Sequence, residues 1–148
     1  MKLLSAGKNE VSYFWQDPDT DIWMRARLDS ESPYATLDIK STDDASQNAF
    51  MRSCVNYSYD MQAYIYSDAR FNVSGESKEF AFLAVEKKAP YSIALYFAPR
   101  EMLASGMVRY RECLKRLQDY RQDTGARLGY QPNGEFEEME WPSWASYR

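Results

Sequence analysis

Alternating apolar and polar residues predict three β-strands in the first forty residues. The segments 10–16, 22–28 and 34–40 each alternate and are rich in aromatic and β-branched residues. The turn-forming sequence DPDTD separates the first two, and DSESP, over 29–33, separates the second from the third. Three consecutive strands joined by short turns favour an antiparallel meander.

Helical spacing replaces alternation in the middle of the chain. Ser46 is placed to cap a short helix that contains Phe50 and Cys54, because a serine side chain can accept a hydrogen bond from a free N–H group of the first turn. A second helix is predicted over about residues 58–71, where apolar and aromatic positions mix with polar ones. The sequence GES then indicates a turn.

Two more strands and a long helix follow. Residues 79–86 form an apolar run expected at the centre of a sheet, and residues 91–97 form a strand after the turn KKAP. Apolar positions at helical spacing predict a helix over about 100–123, and Arg109 and Arg111 on its other face are expected to be solvated. The order βββ-αα-ββ-α predicts an α+β domain with a central mixed sheet.

Length and charge add few constraints. The 148 residues are expected to form a single domain (1–148), with a core over 9–134 and an acidic, aromatic tail over 135–148. No apolar run approaches the roughly 20 residues that span a bilayer, so no membrane segment is predicted. The net charge of −4 owes much to four glutamates in the tail, so charge does not decide whether the partner is a nucleic acid.

The absence of histidine excludes several kinds of chemistry. Ser-His-Asp and Cys-His catalysis and histidine-ligated zinc all require a residue that this chain does not contain. Cys54 and Cys113 are far apart in sequence and favour a reducing, cytoplasmic environment. Any metal must therefore be held by carboxylate and carbonyl oxygens, which favour Mg²⁺ or Mn²⁺.

One group of residues has the spacing of a metal site. Asp38 and Lys40 lie two positions apart on a predicted strand, so their side chains share one face of the sheet. Asp29 ends the preceding strand, and the turn can bring it alongside Asp38. Two carboxylates with the carbonyl of Ile39 between them would supply oxygen ligands, and Lys40 could orient a water or stabilise charge at a phosphate. The alternative is that Asp29 simply caps a turn.

A second group lies on the predicted second helix. Gln62 and Tyr66 are four residues apart and share one helix face. An amide and a phenol on one face can bond phosphate oxygens or base edges. The alternative is a half-buried core tyrosine with a glutamine as its neighbour.

These residues stand in runs that resemble a known nuclease family. LDIKSTDDAS, NYSYDMQAYIYSDA and FAFLAVEKKAPYSIALY, with VSYFWQDPDTDIWMRARLD before them and WPSWA near the end, are similar to the PDDEXK-like nuclease domain of the exodeoxyribonuclease VIII (RecE-type) proteins. These proteins group with RecB-type and phage lambda-type exonucleases. The resemblance extends over about residues 10–148 and implies a central mixed sheet flanked by helices.

The resemblance also implies roles for individual residues. Asp29 and Asp38 match the two metal-binding acids, and Ile39 matches the position whose backbone carbonyl binds the metal. Lys40 matches the catalytic lysine. The family uses Mg²⁺ or Mn²⁺, and two ions are expected.

The remaining implications concern the substrate and its partners. Gln62 and Tyr66 match the QxxxY motif, and Thr42, at the start of TDDAS, is expected with them to contact DNA. The resemblance implies 5′→3′ digestion of duplex DNA in recombination or phage DNA processing. It also implies a homo-oligomer that works with a single-strand annealing recombinase.

The chain also departs from the family pattern. Family members carry helices before the first strand, one of which supplies a histidine or glutamate near the metal, and we expect these helices to be missing here. Glu10 is a candidate substitute for that ligand. Two alternatives therefore stay open: a shortened, weakly active or inactive protein that binds DNA or a protein partner, and an interaction module that acts through its acidic tail.

Overall fold

The computed structural model of the protein describes residues 7–122, 135–136 and 138–145. The predicted order of strands and helices, βββ-αα-ββ-α, is confirmed. The elements are β1 (Lys8–Gln16), β2 (Trp23–Glu31), β3 (Ala35–Thr42), α1 (Gln47–Asn56), α2 (Tyr59–Ser74), β4 (Glu79–Glu86), β5 (Ile93–Phe97), α3 (Arg100–Gln122) and a 3₁₀ turn (Ser143–Ala145).

All five strands form one mixed sheet in the order β1-β2-β3-β4-β5. The pairs β1–β2, β2–β3 and β4–β5 are antiparallel, as the predicted meander and the final hairpin require. β3 and β4 are parallel, with Ala35 opposite Glu79 and Thr42 opposite Glu86. Helices α1 and α2 form the crossover between them, because parallel neighbours need a long connection.

The turn predicted over 29–33 is shorter than expected, since β2 continues through Glu31. The strand continues because the Glu31 carboxylate has partners within the fold. Tyr13 donates its hydroxyl to Glu31 at 2.5 Å, and the guanidinium of buried Arg70 lies 3.3 Å from it. The chain reverses after β2, where the Ser32 hydroxyl donates to the Ala35 carbonyl.

Helix α1 begins where the sequence predicts, but with a different cap. Ser46 occupies the N-cap position and its side chain makes no capping hydrogen bond. Instead, the Asp44 carboxylate accepts the backbone N–H of Ser46 at 2.8 Å. The acceptor is thus Asp44, two positions before Ser46 in the sequence LDIKSTDDAS.

Aromatic side chains fill the space between the sheet and the crossover helices. Phe80 and Phe82 of β4 are fully buried, and their rings meet edge to face at 5.1 Å. Phe50 of α1 packs against Phe82 at 5.7 Å, and Tyr66 of α2 packs against Phe80 at 6.3 Å. This core fixes α1 and α2 over the face of the sheet to which Asp38 and Lys40 point.

The arginines of α3 are not simply solvated as expected. Arg109 forms an ion pair with Asp60 at 2.8 Å, and Arg111 pairs with Asp17 and with Asp19. These contacts fasten α3 to the start of α2 and to the β1–β2 turn.

A glycine lets α3 approach α2 closely. A Cβ atom at Gly106 would lie 2.1 Å from the Asp60 carbonyl oxygen, far inside contact distance. A side chain there requires the backbones to move apart.

Backbone contacts divide the chain into two units, Met1–Lys115 and Arg116–Arg148. The first contains the whole sheet. In the second, the structure describes the end of α3, residues 135–136 and residues 138–145. The single-domain assignment over 1–148, with its 9–134 core, stays a prediction, and residues 1–6, 123–134, 137 and 146–148 lie outside the described residues. No helix in the described part of the chain is long and apolar enough to span a membrane.

Candidate active site

The candidate site lies where β2 and β3 separate. Their ladder pairs Ser30 with Leu37 and Glu31 with Thr36 and extends no further toward Asp29. There, Asp29 Oδ2 accepts the backbone N–H of Ile39 at 2.7 Å. A side-chain carboxylate thus replaces a strand carbonyl as acceptor, which satisfies the amide and brings Asp29 to the neighbourhood of Asp38.

Asp38 is the most buried member of the site, with 2% of its surface exposed. Its Oδ2 atom lies 2.6 Å from Lys40 Nζ, and this buried oxygen accepts no hydrogen bond of normal geometry. Burial raises the pKa of Asp38 to about 6, with a small further rise from Asp29, while the Lys40 ammonium acts in the opposite direction. Asp38 therefore carries a charge that its surroundings only partly compensate.

Gln62 connects Lys40 to Asp38 from α2. Its Oε1 atom accepts from Lys40 Nζ at 2.7 Å, and its Nε2 atom donates to Asp38 Oδ1 at 3.4 Å. Nε2 also donates to the Tyr66 hydroxyl at 2.9 Å. In this orientation the amide oxygen faces the Lys40 ammonium and the amide nitrogen faces the Asp38 carboxylate. Both contacts are therefore electrostatically favourable.

Tyr59, which the sequence did not single out, completes the surroundings of Lys40. The ammonium lies 4.6 Å from the centre of the Tyr59 ring, within the range of a cation–π interaction. The only signal in the sequence is the position of Tyr59 in NYSYDMQ, three residues before Gln62.

The structure thus brings together Asp29, Asp38, Lys40, Gln62 and Tyr66, with Ile39 between the acids. Two other candidates lie apart from this cluster. The Thr42 hydroxyl is buried and donates to the Asp44 carbonyl at 3.0 Å. The exposed Glu10 carboxylate contacts Arg27 at 2.5 Å and has no contact with the cluster.

The donor set fits a hard cation. In the described part of the chain, no group of three or more His, Cys, Asp and Glu side chains is placed to hold a metal ion. Asp29 and Asp38 are two carboxylates, and the Ile39 carbonyl is a third oxygen, which leaves the other positions to water, as Mg²⁺ prefers. The burial of Asp38, whose charge Lys40 compensates only in part, is the observation that best supports a cation here.

A mixed five-stranded sheet with an acidic pair and a lysine at the separation of two strands defines the PDDEXK-like class. The chain belongs to the family described as PDDEXK-like domain of unknown function (DUF3799), whose model matches residues 1–126. The fold class predicted from the sequence is therefore confirmed.

A comparison with a solved structure agrees with this fold. No curated protein matches the chain. A crystal structure from Eubacterium rectale, described as "Putative exonuclease", matches with a TM-score of 0.68 and 16% identity over 96% of this chain and 56% of that one. The chain thus spans about half the length of this neighbour. The structure of SSO0001 matches with a TM-score of 0.46 and 14% identity over 80% of this chain and 52% of that one.

Proposed function

We propose that the protein is a cytoplasmic, metal-dependent DNA exonuclease that hydrolyses phosphodiester bonds. The observation that carries the proposal is the convergence of Asp29, Asp38 and Lys40 on one face of the sheet, with Gln62 bonded to both members of the Asp38–Lys40 pair. Strongly perturbed carboxyl pKa values cluster at functional sites, and burial raises the pKa of Asp38 to about 6.

Asp29, Asp38 and the Ile39 carbonyl would hold the cation, Mg²⁺ or Mn²⁺, and two ions are part of the proposal. When bound, such ions offset the charge of a phosphodiester and lower the pKa of a coordinated water. Asp38 favours this binding because its carboxylate is buried and has lost its contacts with water. A divalent cation would compensate that negative charge.

Lys40 would stabilise negative charge on the reacting phosphate. In the present arrangement its ammonium contacts Asp38, the Gln62 amide and the Tyr59 ring. Gln62 and Tyr59 contact the ammonium from the helix side, in addition to its contact with Asp38. Lys40 is therefore preorganised toward the position where substrate charge develops.

We further propose that the substrate is duplex DNA digested 5′→3′ in recombination or phage DNA processing. This assignment, and the homo-oligomer and single-strand annealing recombinase that accompany it, rest on the resemblance of the sequence to exodeoxyribonuclease VIII. Gln62 and Tyr66, hydrogen-bonded to each other, would contact the DNA backbone beside the acids, and Thr42 remains a candidate contact.

The second candidate is a protein that binds DNA, or a protein partner, without rapid turnover. The observation that favours it is the donor set, because two acidic side chains are all that the described residues bring to this site.

The test is cleavage of end-labelled linear duplex DNA in Mg²⁺ or Mn²⁺, with covalently closed circular DNA of the same sequence beside it. We expect the linear DNA to shorten from its 5′ ends and the circle to survive. Lys40→Ala should lower the rate by about 10²–10³-fold, as loss of a transition-state charge contact does. Lys8→Ala removes an exposed lysine of β1 and serves as the matched control.

Two outcomes contradict the proposal. Equal cleavage by wild type and Lys40→Ala would remove Lys40 from the mechanism. DNA binding without metal-dependent cleavage by the wild type would favour the second candidate.

A further inference from the structure

The turn between α1 and α2 holds two aromatic rings against each other. Tyr57 and Tyr59 stack with their centres 5.7 Å apart and their planes at 29°. Ser58 between them adopts the left-handed conformation, with φ 56° and ψ 40°. A serine in this conformation is uncommon, and such residues cluster at functional sites when the surrounding structure holds them there.

Contacts from α3 hold this turn in place. Arg109 Nη2 donates to the Ser58 hydroxyl at 2.7 Å, and Nη1 donates to both carboxylate oxygens of Asp60 at 2.8 and 3.1 Å. The Tyr57 N–H donates to the Ser53 carbonyl at 3.0 Å. The two rings are therefore presented by a fixed backbone, so a ligand that used them would lose little conformational freedom on binding.

The stack leads from the candidate site to solvent. Lys40 lies over the Tyr59 ring at 4.6 Å, Tyr59 stacks on Tyr57, and Tyr57 is 69% exposed. An aromatic surface thus begins at the ammonium proposed to contact the reacting phosphate and ends in water one ring further out.

The charges that line the hollow beside the stack favour a neutral group over a phosphate. Both rings line a hollow of about 160 Å³ whose wall includes Lys87 but also Asp43 and Asp44. The backbone N–H of Ser46 holds the pKa of Asp44 below its usual range, so this carboxylate is ionised at neutral pH. Within the hollow, two carboxylates face one ammonium and disfavour an anion, whereas an uncharged aromatic base can stack there without that cost.

We propose that Tyr57 is the stacking platform for an unpaired nucleobase next to the phosphate that the site cleaves. The inference rests on the proposed function and makes it more specific: the strand reaches the site with at least one base out of the duplex. Stacking on an aromatic face accepts every base, so the platform predicts little sequence preference.

The test measures binding of single-stranded oligonucleotides in EDTA, so that it does not depend on a bound metal. Tyr57→Ala should weaken binding about tenfold, within the range observed when a stacking aromatic is removed. Tyr57→Phe should bind within about twofold of wild type, because the ring remains. Tyr34→Ala removes a similarly exposed tyrosine (72%) at the other end of β3 and is the matched control.

Abasic oligonucleotides identify the contact. A single abasic position is moved along the strand from its end. At one position, the affinity of wild type should fall by the same factor by which Tyr57→Ala lowers the affinity for the intact strand. The affinity of Tyr57→Ala should not fall further when the base at that position is absent. Tyr57→Leu, which keeps apolar bulk without an aromatic face, provides a second variant if alanine unsettles the turn, and it should behave as alanine does.

The platform is overturned if Tyr57→Ala and Tyr57→Leu bind as wild type does, or if their loss is equal on intact and abasic strands at every position. In either case wild type can still bind and cleave DNA, and the proposed function stands. If wild type binds no single-stranded DNA in EDTA, the platform is overturned as well, whereas the proposed function is decided separately by the cleavage assay in Mg²⁺ or Mn²⁺.

Discussion

The cost of ionising Asp38 gives the sharpest stability prediction. The pKa of this carboxyl rises from 3.8 to about 6 on folding because of burial, with Asp29 adding to the rise and Lys40 opposing it. An acid whose pKa is higher in the folded chain destabilises the fold once it ionises. The cost is absent below pH 3.8 and complete above about pH 6.

The size of the effect follows from the two pKa values. At neutral pH the ionised Asp38 lowers the free energy of unfolding by about 3 kcal/mol. Asp38→Asn keeps the shape of the side chain and removes the titration. The difference in unfolding free energy, variant minus wild type, should therefore rise by about 2–3 kcal/mol between pH 4 and pH 7.5.

The assay is urea denaturation of both proteins in EDTA across that pH range. Loss of the contact to Lys40 adds an offset to the variant, and the Asp38 carboxyl supplies the main part of the rise with pH. A difference that stays constant to within about 0.5 kcal/mol, or that falls with pH, would refute this account of the site. In a second arm, Mn²⁺ at 100 times its Kd should stabilise wild type at pH 7.5 by about 2.7 kcal/mol and leave Asp38→Asn unchanged.

Two further substitutions test the packing of α3. Gly106→Ala should lower the free energy of unfolding by about 1–3 kcal/mol, since the new Cβ meets the backbone of α2; a rise, as helix propensity alone predicts, would contradict the close approach. Arg111→Ala should cost about 3 kcal/mol because it leaves Asp17 buried without its cation. The more exposed Arg109→Ala should cost under about 1 kcal/mol. Thermal and urea unfolding measure the stability of all three variants. Equal losses of stability for Arg111→Ala and Arg109→Ala would contradict the larger contribution assigned to the buried Asp17 pair.

Local patterns predicted most of the architecture. Alternation located the first three strands, and an apolar run and the segment after the turn KKAP located the other two. The position of Asp38 and Lys40 on one strand placed them on a common face. Gln62 and Tyr66 are one helical turn apart, so their shared face also followed from spacing, and the hydrogen bond between them agrees with it.

What the sequence could not predict depends on contacts between distant segments. Gly106 meets α2 and Arg111 meets the β1–β2 turn, and neither contact leaves a periodic signal. The extension of β2 past Asp29 depends on Tyr13 and Arg70, which lie 18 and 39 positions from Glu31. The role of Asp44 was missed because Ser46 is an ordinary N-cap residue, and its spacing does not show that a carboxylate two positions earlier accepts the Ser46 N–H.

The separation of β2 from β3 affects how mutants of this protein are interpreted. Asp29 closes the gap between β2 and β3 by accepting a hydrogen bond from the Ile39 N–H. Alanine at position 29 therefore removes a charge and also leaves that N–H group without its acceptor. Asparagine keeps an oxygen that can accept that proton and discards only the charge. Loss of activity in Asp29→Ala could thus come from the lost hydrogen bond between the strands or from the lost carboxylate charge. Comparison with Asp29→Asn separates these two effects.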